Sequence, residues 1–412
     1  MKHRIILGLF FHFTLIITCL QAVEKPTGLF ASSGTSGDQI YEHASLKGGL
    51  IRATWESIEA EPGVFDFDLI DVQVNKAESE GKKWSLAVLG GGTGSPSWLI
   101  DDLGAAFVNY TFRGDSGYRL PLYWDTTVQE RLSKLANVLA DRYKGHKGLA
   151  LVYVTQMTSN GIEGHLQGVS MEDFVAAGYT DEKWVNAAKA ASRSYAAAFL
   201  NKPIAFEVHD VNGGSTVPLR IINELWNEPG LEQRVGAAMW WLSGRTDYQP
   251  ELITGLTDFP GDIYGQVIGR SDQTYRFGEE DYATVFSQAQ EIGIRYIEPW
   301  EYEFKSGTNS ADGNWDEVFA DFNAWSASAF PSSNGETGQL GSPRVFPDEN
   351  DICLKWLAIQ GVTYSVRRTK DLSIWETLET RTALESDWQD YTDAEVLVND
   401  HSQMSFYQVL QH

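Results

Sequence analysis

The residues of this chain best equipped for chemistry are glutamates that follow short apolar runs. Glu163 closes the stretch Asn160-Gly161-Ile162-Glu163, just after an apolar run over 149–156. Glu298, Glu301 and Glu303 crowd the sequence Glu298-Pro299-Trp300-Glu301-Tyr302-Glu303, which ends another such run. Two carboxyl groups facing one cleft can divide a cleavage between them. One protonates a leaving oxygen, and the other attacks or activates water, which is what opening a glycosidic bond requires. On an extended strand Glu298 and Trp300 share a face, so Glu298 ranks ahead of Glu301 as the group pointing inward. His209 and Asp210 end a further run and can contact hydroxyl groups or tune an acid. Trp55, Trp98, Trp124, Trp240 and Trp300 lie near run ends, with Asp125 beside Trp124. Flat aromatic faces suit the apolar faces of sugar rings; two or three of these rings are expected to form a platform and the others to pack. His146 and His165 lack the ligand spacing of a metal site, and no serine nucleophile elbow is present. No metal and no cofactor are therefore expected.

Eight strand-like runs would have to position these groups: 27–32, 49–55, 83–90, 149–156, 203–210, 235–242, 262–269 and 295–301. Between them lie helical patterns at 70–80, 127–143, 181–200 and 279–292, the third rich in alanine and the last with acidic residues in its first turn. Strand–helix alternation over about 300 residues predicts an α/β fold, a (β/α)8 TIM barrel with its active site at the C-terminal strand ends. A doubly wound sheet is the alternative, but no glycine-rich phosphate loop follows the first strand. The sequence Asn227-Glu228-Pro229 resembles a strand-end motif. Leu219, Ile222 and Leu225, however, give 217–227 a helical period. If that segment were a strand end, Glu228 would displace Glu163.

The 17 residues 331–347 are rich in Ser, Gly and Pro and read as a linker, dividing a barrel over 23–330 from a tail over 348–412. Strands at 352–358, 363–368, 375–379 and 405–410 make the tail a small all-β, sandwich-like module. At the other end Lys2 and Arg4 precede an apolar run over 5–20 that closes on Gln21-Ala22. That layout is a signal peptide over 1–22, directing the chain to the periplasm, the cell surface or the medium. The run is too short for an ordinary membrane span, and no later stretch qualifies. Cys19 would leave with the signal, so Cys353 would have no partner within the chain. The net charge of −24, or −26 without Lys2 and Arg4, disfavours nucleic acid and anionic membranes. No basic patch suited to a highly sulfated polysaccharide is evident. Oligomeric state has no signal in the sequence.

The segment 52–71, RATWESIEAEPGVFDFDLID, resembles the second-strand region of beta-galactosidase-like (family 42-type) and related clan A glycoside hydrolases. GKKWSLAV and SPSWL within 81–99 are similar to their third strand and its loop, and 120–125 with 135–154 to their approach to strand four. The resemblance spans roughly residues 27–304 and implies a secreted hydrolase acting on an oligo- or polysaccharide, a galactose-containing one among the candidates. It implies an acid/base glutamate after strand four, which Glu163 matches without the usual preceding Asn. It also implies a nucleophilic glutamate ending strand seven, where Ile268-Gly269-Arg270-Ser271-Asp272 offers none; the nearest carboxylates are Glu298 and Glu301. That gap leaves open a carbohydrate-binding barrel without catalysis, and a lyase or transglycosylase is compatible with the same groups. The tail segments 361–378 and 391–409 resemble C-terminal β modules on secreted proteins of Verrucomicrobia-like bacteria.

Overall fold

A computed structural model describes residues 23–32, 40–278, 281–305 and 315–330, and in the C-terminal segment 344–348, 351–357, 363–369, 376–383, 388–393 and 406–411. The proposed signal peptide and most of the proposed linker lie outside the described residues.

Eight parallel strands close into a barrel: β1 (Gly28–Ala31), β2 (Gly48–Thr54), β3 (Lys83–Leu89), β6 (Leu149–Tyr153), β7 (Ile204–Glu207), β8 (Val235–Leu242), β9 (Ile263–Val267) and β10 (Ile294–Glu298). All eight fall on the runs expected from the sequence. Closure is made by β1 against β10, with Gly28 opposite Tyr296 and Leu29 opposite Ile297. An antiparallel hairpin, β4 (Phe107–Phe112) and β5 (Asp115–Pro121), is inserted after β3.

Period-two alternation sorts side chains between two cores. Leu50, Leu151, Tyr153, Ala205, Tyr264 and Tyr296 fill the barrel interior. Their strand neighbours Ile51, Val152, Ile204, Ile263 and Ile297 face the surrounding helices. Each large aliphatic side chain buried in this way contributes about 2 kcal/mol. Opposite them the helices turn matching stripes, such as Leu132, Leu135, Ala136 and Leu139 of Thr126–Tyr143. Asp125 begins that helix by accepting Val128 N–H at 3.2 Å, and Thr180 caps Asp181–Ala198 through Lys183 N–H at 3.1 Å. The helix expected from residue 279 is observed as Ala283–Ile292, with no acidic side chain in its first turn.

The C-terminal strands form two three-stranded antiparallel sheets. One strand, Arg344–Asp348, occupies the end of the segment read as linker, so the tail's regular structure begins earlier than its composition suggests.

Candidate active site

The barrel mouth, at the C-terminal strand ends, is built around the loop that follows β6. This loop can exist only because glycine lies on both sides of a close approach. Gly91 adopts φ +57°, and a Cβ there would stand 2.0 Å from the Thr158 carbonyl oxygen. Gly161 adopts φ +83°, and its Cβ would meet Gly90 O at 2.0 Å. Freed of side chains, the two loops bond directly: Gly90 N–H to Gly161 O at 3.1 Å and Gly92 N–H to Thr158 O at 3.0 Å. The glycine-rich run after strand three is thus a socket for the loop that carries Glu163.

Glu163 is held by Asn160, whose Nδ2 donates to Oε1 at 2.8 Å and whose Oδ1 accepts Glu163 N–H at 3.0 Å. Its side chain keeps 28 % exposure, with His165 Nε2 3.7 Å from Oε2. Loss of hydration, opposed by His209 and reinforced by Glu207, raises the Glu163 pKa above the ordinary glutamate value. That favours a carboxyl group that keeps its proton longer than usual, as a general acid must.

Glu207, at the end of β7, braces the loop from behind. It is fully buried and accepts Gly164 N–H and, at 3.0 Å, Trp240 N–H. His209 Nδ1 lies 3.0 Å from its Oε2. Burial pushes the Glu207 pKa well above the ordinary value and pulls His209 down to about 4. At neutral pH His209 is therefore an uncharged ring that orients its neighbours. Gln156 completes the brace, donating Nε2 to Glu207 O at 2.8 Å and to Ile162 O at 2.9 Å.

On the opposite wall, β10 delivers Glu298 inward, but one layer beneath the mouth. It has no exposed surface. Its Oε1 accepts the hydroxyls of Tyr153 (2.9 Å) and Tyr296, and its Oε2 accepts Gln266 Nε2 at 2.7 Å. Burial pushes its pKa up to about 7 despite these donors. Glu301, in the short 3-10 helix Glu301–Phe304, is different: its side chain is 22 % exposed and Oε1 accepts Lys305 Nζ at 2.8 Å. Its Oε2 is buried and has no hydrogen-bond partner among the described residues. Glu303 is buried and structural, receiving both N–H and hydroxyl of Ser271 at 2.7 Å.

Between the walls stands Arg52, on the inward face of β2 two residues beyond Leu50. Loss of hydration lowers its pKa, and the charges of Glu298, Glu163 and Glu301 oppose that shift, although the side chain is exposed and makes no ion pair among the described residues. Tyr248, 42 % exposed in the loop after β8, packs edge-on against Trp241 at 5.6 Å. Burial, then the charges of Glu207, Glu163 and Asp210, raise its pKa, and Trp241 in turn packs on His209 at 5.7 Å, on the Glu163 side of the mouth. Neither Arg52 nor Tyr248 was among the sequence candidates. Arg52 was legible from its two-residue spacing to Leu50, whereas a loop tyrosine carries no periodic signal.

Several expected ligand contacts are instead committed to the framework. Trp55 is fully buried, giving its indole N–H to Glu59 at 2.7 Å. Trp98 lies edge-on to it, donates to Glu59 O at 2.9 Å and is covered by Arg131. Trp124 packs on Phe174 at 5.1 Å, and Asp125 is the helix cap described above. Trp240 fills the barrel interior against Tyr153 at 5.1 Å. The rim keeps Trp300, half-buried with its N–H on Val267 O at 2.8 Å, and Asp210, half-buried with Oδ1 lacking a hydrogen-bond partner among the described residues. Glu228 lies beyond the helix Thr216–Trp226, bound bidentately by Arg193 at 2.7 and 2.9 Å. The helical reading of that segment holds, and Glu228 sits at the end of the barrel away from the mouth. Among the described residues no group of three or more His, Cys, Asp or Glu could hold a metal ion, and no helix is long and apolar enough to cross a membrane.

No family profile and no curated protein matches the chain. Among solved structures it is similar to an intracellular xylanase of Thermoanaerobacterium saccharolyticum, a mutant in complex with xylotriose, at 15 % identity over 66 % of this chain and 85 % of that one, TM-score 0.44. Xylanase 10B of Thermotoga maritima is 12 % identical over 73 % and 95 %, TM-score 0.45. Endo-glycoceramidase II of Rhodococcus sp. is 12 % identical over 90 % and 99 %, TM-score 0.46. At these values the likeness is one of barrel fold.

Proposed function

We propose that this chain is an exported glycoside hydrolase in which Glu163 is the general acid and Glu301 the second carboxylate. The observation that carries the reading is that Glu163, in the loop after β6, and Glu301, just after β10, both keep partly exposed side chains at the C-terminal end of a closed barrel. Glu163 supplies the proton to the leaving oxygen because burial raises its pKa. Glu301 is preferred over Glu298 because its side chain is 22 % exposed and its Oε2, though buried, has no hydrogen-bond partner among the described residues, while Glu298 is sealed and both its oxygens are occupied. Strands β6 and β10 stand four places apart in the closed order of eight, on opposite sides of the barrel. That placement supports the wider carboxylate separation, which leaves room for water and gives inversion. The second-strand segment around Arg52 supports a glycan substrate, with galactosides among the first to try, and the N-terminal pattern supports export.

The test is reducing-end release across a glycan panel by wild type, Glu163→Gln and Glu301→Gln. Each variant is expected to lose about 10²–10⁴-fold in kcat. The wild-type descending pH limb should lie above the ordinary glutamate value of 4.5, since the acid's pKa is raised. Proton NMR of the first product should show the inverted anomer. A second reading, a binding barrel without catalysis, is favoured by the sealing of Glu298. Wild-type protein that binds glycans yet cleaves none would establish it.

A further inference from the structure

The hairpin β4–β5 leans over the acid loop rather than standing free. Tyr110 hydroxyl donates to Ser159 O at 2.5 Å, and Phe112 stacks on His165 with centroids 6.0 Å apart and planes 22° apart. His165 in turn lies 3.7 Å from Glu163. At the hairpin tip, Arg113 holds its guanidinium over the Phe112 ring at 5.0 Å. Hairpin tip, ring, imidazole and acid therefore form one continuous stack, with a cation on its outer end.

Two features of Arg113 are unusual. Its φ is +52° and that of Gly114 +93°, the pair of left-handed residues a two-residue hairpin turn needs. Asn or Gly fills the first of these positions at least cost, and an arginine there adds about 1 kcal/mol of strain. Secondly, Arg113 is exposed and has neither hydrogen bond nor ion pair among the described residues. Arg119, Arg142, Arg193, Arg220, Arg245, Arg270 and Arg295 each hold a carboxylate. In a chain with 56 acidic and 32 basic residues, pairing is the easy outcome. Here a strained turn presents a free fork at the outer end of the stack that leads to the acid. The charge of Arg113 also acts on both Glu163 and His165, in keeping with that placement.

We propose that Arg113 forms an anion subsite at the lip of the mouth, taking the carboxylate of a uronic acid residue in the glycan next to Glu163. This rests on the reading of the mouth as a glycan site. A planar guanidinium matches one carboxylate with two parallel hydrogen bonds. A polysulfated chain is disfavoured, because Glu163, Glu301 and Asp210 surround the remaining mouth and would repel further charges.

Calorimetric titration of the full chain with a galactotriose in which one residue is oxidised to galacturonate and with galactotriose itself tests this, and a glucuronate–glucose pair provides a second matched comparison. Wild type should prefer the acidic partner about tenfold at low salt, and added salt should erode the preference. Arg113→Asn suits the turn and should abolish the preference while leaving neutral-sugar affinity unchanged; Arg113→Lys should keep part of it. No acid preference in wild type for either pair, or full preference in Arg113→Asn, overturns the proposal. Binding is read without cleavage, so acid-selective binding with no hydrolysis sinks the hydrolase and leaves the subsite standing. Hydrolysis of neutral glycans with no acid preference does the reverse.

Discussion

Glu298 offers the sharpest test of the electrostatics beneath the mouth. Its pKa is pushed from 4.5 to about 7 by burial. The folded chain therefore keeps a proton that the unfolded chain releases between those values. With more protons bound in the native state, stability falls as pH rises through that window, and the loss is complete above pH 7. A displacement of that size corresponds to roughly 3 kcal/mol. Glu298→Gln is close in shape to the protonated acid, and the Tyr153 and Tyr296 hydroxyls can turn to accept its amide. The variant should therefore escape the loss. Thermal unfolding of both proteins, followed from pH 4 to 8 in one buffer series, isolates the effect, because every other titrating group cancels in the difference. The gap between the two curves should grow with pH in favour of Glu298→Gln by up to about 3 kcal/mol, or roughly 5 °C, and level off above pH 7. Parallel curves would mean that Glu298 ionises at its ordinary pKa in the folded protein, and the account of a sealed acid would fail.

Two further perturbations probe the rim and its support. Tyr248→Ala removes an exposed ring on the acid side and should raise KM for a cleaved glycan about fivefold, a stacking contribution near 1 kcal/mol, with kcat little changed; a fall in kcat at constant KM would place the ring elsewhere. Gly91→Ala puts a Cβ 2.0 Å from Thr158 O at φ +57°. It should cost about 2 kcal/mol or more in thermal stability and lower kcat through displacement of the Glu163 loop. A variant equally stable and active would show that the two loops are not interlocked.

How far the sequence reaches depends on which physical signal each element carries. The barrel strands were legible because apolar runs such as Val235–Leu242 are buried on both faces and need no partner to be recognised. Glu228 was separable from a strand end because Leu219, Ile222 and Leu225 give the segment a helical period, and the helix buries Ile222 and Leu225 in the core. The hairpin over 107–121 escaped notice even though Val108, Tyr110 and Phe112 alternate inward. Its turn, Arg113-Gly114, lacks the Asn-Gly signature that marks such connections. Which tryptophans pack was not legible for another reason: residue type does not say which way a chain turns at a strand end. Thr54 caps a one-turn helix beginning at Trp55, and that turn swings the ring into the wall onto Glu59.

The strand-eight carboxylates show the same limit at finer grain. Period two placed Glu298 on the inward face correctly, yet its depth is set by pairing with β9. Glu298 lies level with Gln266, and Tyr153 and Tyr296 close over it. Register of that kind is a property of two strands together and is invisible in either alone. Once the register is known, the roles divide on access. The inward glutamate becomes a buried proton-holding group, and the next one along the chain, three residues later on a 3-10 turn, keeps the partial exposure on which its proposed role rests.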